Sequence, residues 1–352
     1  MKIENKQQYG AIDIMKFLCS LLIVSAHYVT ENAEGRINKI LEYSVSLYII
    51  VVPFFFCCSG FLIFKKIFSD PESGGKRVLS YCKHLMIMYG VWSVIYLSFK
   101  IAEWIKSGAS SNSIIKYLIN SIFYSTYKTI WFLPALCVGT IIAYFLIKHI
   151  GLKKTLAVAG IFYLIGALGV SYRFIPEKSE ILSDLLSKYD YVFVSTRNGV
   201  FNAFPFIVMG AFIAQRRDSH RGKIAEDLIP CIVFGAMFVA EAFLLKFKFS
   251  APNANTLIML LPFTYFFVSL CLDIKISSGK WLLWMRKMST AVFLCQRIFL
   301  SAIPAVWPDG VIASVLNGNP YLGIVIILFM VVALSSLLVF ISQKNRFFSV
   351  LC

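Results

Sequence analysis

The chain has 352 residues, of which 59% are hydrophobic and only 15% are charged. Soluble domains carry about 25% charged residues because they present a polar surface to water, so this composition excludes a soluble globular protein. The formal net charge of +16 does not indicate a nucleic-acid surface, because the charges stand between long apolar blocks. We therefore predict an all-α polytopic membrane protein that contacts lipid and no nucleic acid.

The apolar blocks predict ten transmembrane helices of about 20 residues each, the length that a hydrocarbon core of about 30 Å requires. The longest stretch between them, about 100–128, has the pattern of an interfacial amphipathic helix and not of a soluble domain. We predict one membrane domain over 1–352, with about 11–342 embedded. The ten spans are predicted at 11–30, 43–64, 82–99, 129–147, 155–171, 195–214, 228–245, 255–272, 285–303 and 321–342.

The loops between the spans differ in basic charge. With the N-terminus inside, 20 Lys and Arg residues fall in inner segments and 11 in outer loops. This asymmetry predicts a multi-pass protein of the cytoplasmic membrane with both termini in the cytoplasm. Lys2 and Lys6 precede a first span that has no small-x-small cleavage site after it, so we expect this span to be retained.

A few ionisable residues fall inside predicted spans. An ionised side chain at the centre of a span costs about 2.5–3.5 kcal/mol on insertion scales, which makes each one a functional-site hypothesis. We expect Glu241 to pair with Arg197 or Arg297, and the other arginine to face a polar cavity. The other two ionisable residues of this kind are Asp13 and Lys16 in the first span.

The first span carries Lys16 near its start and His27 near its end. Eleven residues at 100° each make about three full turns, so both side chains leave the same helix face about 16 Å apart. Asp13 lies near enough on that face to pair with Lys16. Two interpretations remain open: a snorkelling lysine with a structural histidine, or a histidine placed to move a proton.

Five segments in order resemble the acyltransferase 3 family of membrane acyltransferases. The spacing Lys16-x10-His27 is similar to the family's R/K-x10-H signature on the first span. The other four segments resemble the second helix ending in Ser-Gly-Phe, the basic entry to the third helix, the Trp-Phe-Leu-Pro segment and the Arg-Asn-Gly segment. They read FFFCCSGFLIF (54–64), KRVLSYCKHLMIMYGVWSVIY (76–96), IWFLPAL (130–136) and TRNGVFNAFPFIVMG (196–210).

The resemblance implies transfer of an acyl group, commonly acetyl, from cytosolic acyl-CoA to a hydroxyl of a cell-envelope glycan or lipid-linked sugar. Under this reading His27 is the general base or carries the acyl group itself, and no metal is needed. The donor phosphates would meet Lys16, Lys76 and Arg77 at the inner mouth.

The acceptor or a developing oxyanion would contact the remaining intramembrane charges, Arg197, Arg297 and Glu241. Trp131 is either an aromatic belt residue or a ring on which a sugar stacks. Ser59-Gly60 favours close helix packing over a nucleophile, because no base stands beside it in sequence. The scattered cysteines indicate free packing residues.

The sequence departs from the family pattern at two positions. Lys16 replaces the commoner arginine and keeps the charge without the bidentate fork. Gln296 stands where many members carry a late histidine, which puts the activity or the acceptor class in question. A transporter or flippase is the alternative function, although no inverted repeat of broken helices is found. A non-catalytic membrane subunit is the third possibility.

Overall fold

A computed structural model describes residues 9–344, except 40, 42, 44–46, 221–223, 250–254 and 278, together with 350–351. Lys2 and Lys6 therefore lie outside the described residues. Within the described part of the chain, every regular element is a helix. Nine of these described helices are long and apolar enough to cross a membrane, and a shorter apolar helix, Leu260–Asp273, matches the remaining predicted span, 255–272. The predicted all-α polytopic membrane fold is confirmed.

The helices are numbered in chain order. In the first half they are α1 (Gly10–Tyr28), α2 (Val51–Ser69), α3 (Gly74–Ser107), α4 (Ser111–Phe123), α5 (Phe132–Ile150), α6 (Leu152–Gly169) and α7 (Glu180–Phe193). The second half contains α8 (Phe204–His220), α9 (Ile224–Lys248), α10 (Leu260–Asp273), α11 (Lys280–Arg297), α12 (Ile303–Val306), α13 (Val311–Asn317) and α14 (Pro320–Lys344). Three π-helical turns adjoin α1, α8 and α11 at Val29–Ala33, Gly199–Ala203 and Ile298–Ala302.

The long helices alternate in direction, so the bundle has two ends. At the Gly10 end, where α1 begins, Arg286 of α11 binds Asp13 of α1 with N···O distances of 2.9 and 2.7 Å. At the Ala33 end, where α1 runs out into its π turn, Lys106 donates to the backbone oxygen of Val306 at 2.9 Å. The short helices α4, α7 and α13 lie in connections at the Ala33 end.

Helix α3 is longer than the predicted span 82–99. Its 34 residues extend about 51 Å, well beyond a hydrocarbon core of about 30 Å. The helix continues because its polar residues interrupt the apolar run without a helix breaker, and it ends at Gly108, whose φ is +64°. The predicted amphipathic helix within 100–128 is observed as α4.

Helices α2 and α8 cross at a contact made by two glycines. A Cβ atom on Gly60 would overlap the backbone oxygen of Ile207, and one on Gly210 would overlap that of Cys57. Small residues let the two backbones approach closely, as in many membrane helix pairs. Gly60 therefore has the packing role predicted for the Ser59-Gly60 segment.

Candidate active site

The three π-helical turns stand directly beside the candidate residues His27, Arg197 and Arg297. His27 and Arg197 come two residues before such a turn, and Arg297 immediately before one. π turns are rare and occur frequently at functional sites, because the extra residue redirects side chains and frees backbone groups. All three turns lie at the Ala33 end of the bundle.

His27 lies in the last turn of α1 with a side chain that is 17% exposed. Its Nδ1 atom is 4.0 Å from Oε1 of Glu31, which follows one turn later on the same face. This distance is too long for a hydrogen bond but brings the carboxylate beside the imidazole. The ring of Tyr48 lies 5.9 Å from the imidazole, centroid to centroid.

Arg297 is only 2% exposed and joins three parts of the chain. Its Nη1 donates to Oε2 of Glu31 at 2.5 Å, and its Nε donates to Oγ1 of Thr129 at 2.7 Å. Glu31 thus lies between His27 and Arg297. The arginine is held by a carboxylate that the sequence interpretation placed in an outer loop, so the predicted pairing of Arg297 with Glu241 is wrong.

Arg197 lies against Trp131, with its Cζ 5.2 Å from the ring centroid. Trp131 is 7% exposed, stacks on Tyr124 at 6.0 Å and meets Phe56 edge-on. Arg197 forms no ion pair within the described part of the chain. The indole is therefore a packing surface that supports Arg197, and little of it is left for stacking on a sugar.

Positive charge concentrates around His27. Arg297, Arg197 and Lys128 all act electrostatically on its imidazole. Such preorganised cations can stabilise an oxyanion that develops beside a catalytic histidine, since they need no reorganisation during the reaction. The cluster can therefore favour chemistry in which negative charge appears on oxygen.

Two cavities open at the Ala33 end beside these charges. One of about 440 Å³ is lined by Arg197, and one of about 490 Å³ is lined by Lys128. Both are lined by Tyr124 and Val194. Val194 has a φ of +65°, an outlier for a β-branched residue. Each volume is in the range of small-molecule binding sites. Arg197 lines one cavity and Lys128 the other, and both cations act electrostatically on His27.

The motif residues around Arg197 have identifiable roles. The Oδ1 of Asn198 accepts from the backbone N–H groups of Val200 and Phe201, at 2.9 and 3.2 Å, and so caps the π turn. A Cβ on Gly199 would lie 3.0 Å from the backbone oxygen of Ala135. The Arg-Asn-Gly segment thus fixes the direction in which Arg197 leaves the backbone.

Among the described residues Glu241 pairs with no arginine, which corrects the prediction made above. Its carboxylate accepts from the hydroxyl of Tyr172 and from the backbone N–H groups of Ile258 and Met259, at 2.7 and 2.8 Å. These N–H groups stand at the start of α10, where a negative charge is favoured by the helix dipole. Glu241 therefore joins α9 to the beginning of the short helix α10.

Lys16 lies deeper in the bundle than an interfacial anchor would. Its side chain is half-buried and its Nζ is 6.0 Å from the ring centroid of Phe55. The predicted pair between Asp13 and Lys16 is not formed, because Arg286 takes both carboxylate oxygens of Asp13. Within the described residues Lys16 has no ion pair.

Lys76 and Arg77 begin α3 at the Gly10 end. Arg77 donates to Asp70 at 2.8 Å and to Ser73 at 2.5 Å, and so braces the turn between α2 and α3. Hydrogen bonds from Ser73 and Arg77 lower the pKa of the Asp70 carboxyl group. Lys76 is exposed. Of the two, Lys76 is the more available to a phosphate.

Gln296 fills the late motif position inside the bundle. It is fully buried, and its Nε2 donates to the backbone oxygen of Phe293 at 3.0 Å. Its Oε1 has no hydrogen-bond partner within the described residues. Gln296 therefore has no visible link to Glu31 or His27.

The sequence interpretation missed Glu31, Lys128 and Thr129. For Glu31 the signal was present, since it follows His27 by one helical turn on the same face. Among the described residues no group of His, Cys, Asp or Glu side chains could hold a metal ion. The eight described cysteines are buried.

Comparison with known proteins places the chain in a family. Residues 9–340 match the family model described as "Acyltransferase domain". Two relatives named amino-acid racemase, from Enterococcus faecalis, are 28% and 24% identical over 68% and 73% of this chain. A serine/alanine racemase from Enterococcus gallinarum is 23% identical over 73% of it. The chain spans only 33–36% of the length of these relatives. No solved structure matches. The chain belongs to this acyltransferase family.

Proposed function

Because the chain is a membrane acyltransferase, we propose that it moves an acyl group, commonly acetyl in this family, from cytosolic acyl-CoA to a hydroxyl of a cell-envelope glycan or lipid-linked sugar. The observation that carries the proposal is the position of His27 among three cations, two of which, Arg197 and Lys128, line cavities at the same end of the bundle. Lys16 stands on the same helix face, about 16 Å away along α1.

His27 removes the proton from the acceptor hydroxyl, whose oxygen attacks the thioester carbonyl. The new C–O bond forms, the C–S bond breaks, and the imidazolium returns the proton to the departing CoA thiolate. In an alternative mechanism the imidazole attacks the thioester carbonyl and displaces the CoA thiolate. The acyl group is then transferred from the imidazole to the acceptor hydroxyl. Arg297 is already bonded to Glu31 and Thr129, so Arg197 is the better candidate to stabilise the oxyanion.

On the donor side we assign Lys16 and Lys76 to the phosphates of CoA. We propose that both termini lie in the cytoplasm, so that the Gly10 end faces the donor and the Ala33 end faces the acceptor. This orientation rests on the uneven distribution of basic residues between the loops. Arg77 contributes less, because Asp70 and Ser73 already occupy its guanidinium.

The racemase activity named for the enterococcal relatives is not part of the proposal. The match covers 33–36% of each of those proteins, so the larger part of each has no counterpart in this chain. An activity named for the whole relative can reside in that larger part.

The purified protein in lipid nanodiscs, given acetyl-CoA labelled in the acetyl group and an envelope extract, tests the proposal. We expect release of the CoA thiol together with label in a glycan or glycolipid fraction. His27→Ala at equal folded concentration is the control. Label in neither fraction, combined with solute uptake by proteoliposomes, would favour the transporter alternative.

A further inference from the structure

Two short helices at the Ala33 end, α4 and α7, present apolar side chains away from the protein. The exposed apolar residues of α4 include Ile122, which is 78% exposed, and those of α7 include Leu185, which is 62% exposed. No residue of α7 is fully buried. The outward apolar side chains are Ile115, Leu118, Ile119 and Ile122 on α4, and Ile181, Leu182 and Leu185 on α7.

Polar side chains of both helices line the two cavities. On α4, Tyr117 and Asn120 line the 490 Å³ cavity, and at 100° per residue Asn120 points about 160° away from Ile122. On α7, Asp190 lines the 440 Å³ cavity and pairs with Arg173. A helix on a water-exposed surface has the opposite arrangement, with its apolar stripe toward the core. The outward faces therefore need an apolar partner.

The two helices also border both cavities together. They contact each other, and each leads directly into one of the two residues that line both cavities. Tyr124 follows α4, and Val194 follows α7. The pair α4 and α7 thus borders the two cavities that Arg197 and Lys128 line.

We propose that α4 and α7 lie in the headgroup region of the bilayer with their apolar faces in lipid, so that the two cavities open at the membrane surface to an acceptor held there by a lipid anchor. The part of the proposal that concerns the acceptor rests on the proposed function. The part that concerns the position of the helices does not.

The bilayer is the occupant that the structure favours for these faces. The chain crosses a membrane, and further exposed apolar side chains lie at the same end of the bundle, including Ile105 of α3, Trp307 and Val311. Amphipathic helices in this position bury their apolar face about 5–10 Å into the headgroup and acyl boundary.

Cavities at this depth match the position of a lipid-linked sugar. An anchored sugar stays at headgroup level, so its effective concentration at the cavities is far higher than that of the same sugar in solution. Arg197, Asp190 and Tyr124 line the 440 Å³ cavity. They offer charged and aromatic contacts to the hydroxyl groups of a sugar.

Spin labels at introduced cysteines in nanodiscs test the position of the helices. The described native cysteines are buried, and a Cys352→Ser background removes the one outside the described residues. Ile122→Cys and Leu185→Cys probe the apolar faces, with Lys116→Cys and Ser187→Cys as matched controls on the same helices. We expect more collisions with oxygen than with a water-soluble nickel chelate at 122 and 185, and the reverse at both controls.

Labels at 122 and 185 that meet the nickel chelate as often as the controls do would overturn this placement. Labels there that meet neither reagent would also overturn it, because a protein partner or a second copy would then cover the faces. Neither result depends on any catalytic activity, so a failure here is separate from a failure of the proposed function.

The acceptor is tested with one oligosaccharide, supplied either free or attached to a lipid, and with labelled acetyl-CoA as the donor. We expect the wild type to acylate the anchored form at least about tenfold more efficiently. Ile122→Glu with Leu185→Glu should remove that preference and leave the donor KM unchanged, whereas Lys116→Glu with Ser187→Glu should retain it. Equal use of both forms by the wild type would overturn the anchored acceptor. Use of neither would count against the proposed function.

Discussion

Replacing Arg297 by methionine would remove the guanidinium that connects α11 to Glu31 and Thr129. Removing one partner of a fully buried ion pair costs about 3–5 kcal/mol. Here the Glu31 side chain is 30% exposed and keeps some access to water, so we expect Arg297→Met to lower the free energy of unfolding by about 2–3 kcal/mol.

The cause of that loss can be isolated by a second substitution. Glu31→Gln in the Arg297→Met background removes the stranded carboxylate, so the double variant should recover about 1–2 kcal/mol. Denaturant unfolding in mixed micelles, followed by circular dichroism, measures all three variants. Arg173→Met is the control, since its partners are partly exposed and its loss should cost less than about 1 kcal/mol. Strictly additive effects of Arg297→Met and Glu31→Gln would refute the reasoning.

Three further predictions concern the donor side, the helix packing and the topology. Lys16→Arg should keep most acyl transfer, whereas Lys16→Ala should raise the KM for acyl-CoA; an unchanged KM would make Lys16 a packing residue. Gly60→Ala should destabilise the fold by about 1–3 kcal/mol in thermal unfolding, because the new methyl overlaps the backbone of α8. Gly90→Ala is the control: its new methyl meets open space, so it should be neutral or stabilising. An impermeant thiol reagent outside intact cells should label single cysteines placed in 176–186 at positions other than Ile181, Leu182 and Leu185, and spare those in 70–75. Labelling of the latter would reverse the orientation.

The spans were predictable from the sequence because length and hydropathy alone decide whether a helix can cross a bilayer. The start of α1 and the helical nature of the third span follow from the apolar runs in the sequence. The true length of α3 does not, because its continuation to Ser107 lies outside the apolar run. The short α10 was also predicted as a longer span, 255–272, since the sequence does not reveal that Glu241 caps its start.

The partners of intramembrane charges were not predictable. Sequence gives the depth of Glu241 and Arg297 in their spans, but the rotation of neighbouring helices decides which groups meet. Glu31 binds Arg297 because α1 packs against α11, a contact that no spacing within either helix encodes. The π turns also depend on tertiary packing, since they shift the hydrogen-bond register without a characteristic residue pattern.

His27 was predictable as a candidate because its spacing from Lys16 is a local property of one helix. The most direct test of the account measures acyl transfer and thermal stability on the same purified His27→Ala protein. We predict at least a ~10²-fold loss of turnover, as removal of a general base typically causes, with a Tm close to that of the wild type. A folded His27→Ala protein with wild-type turnover would contradict the account.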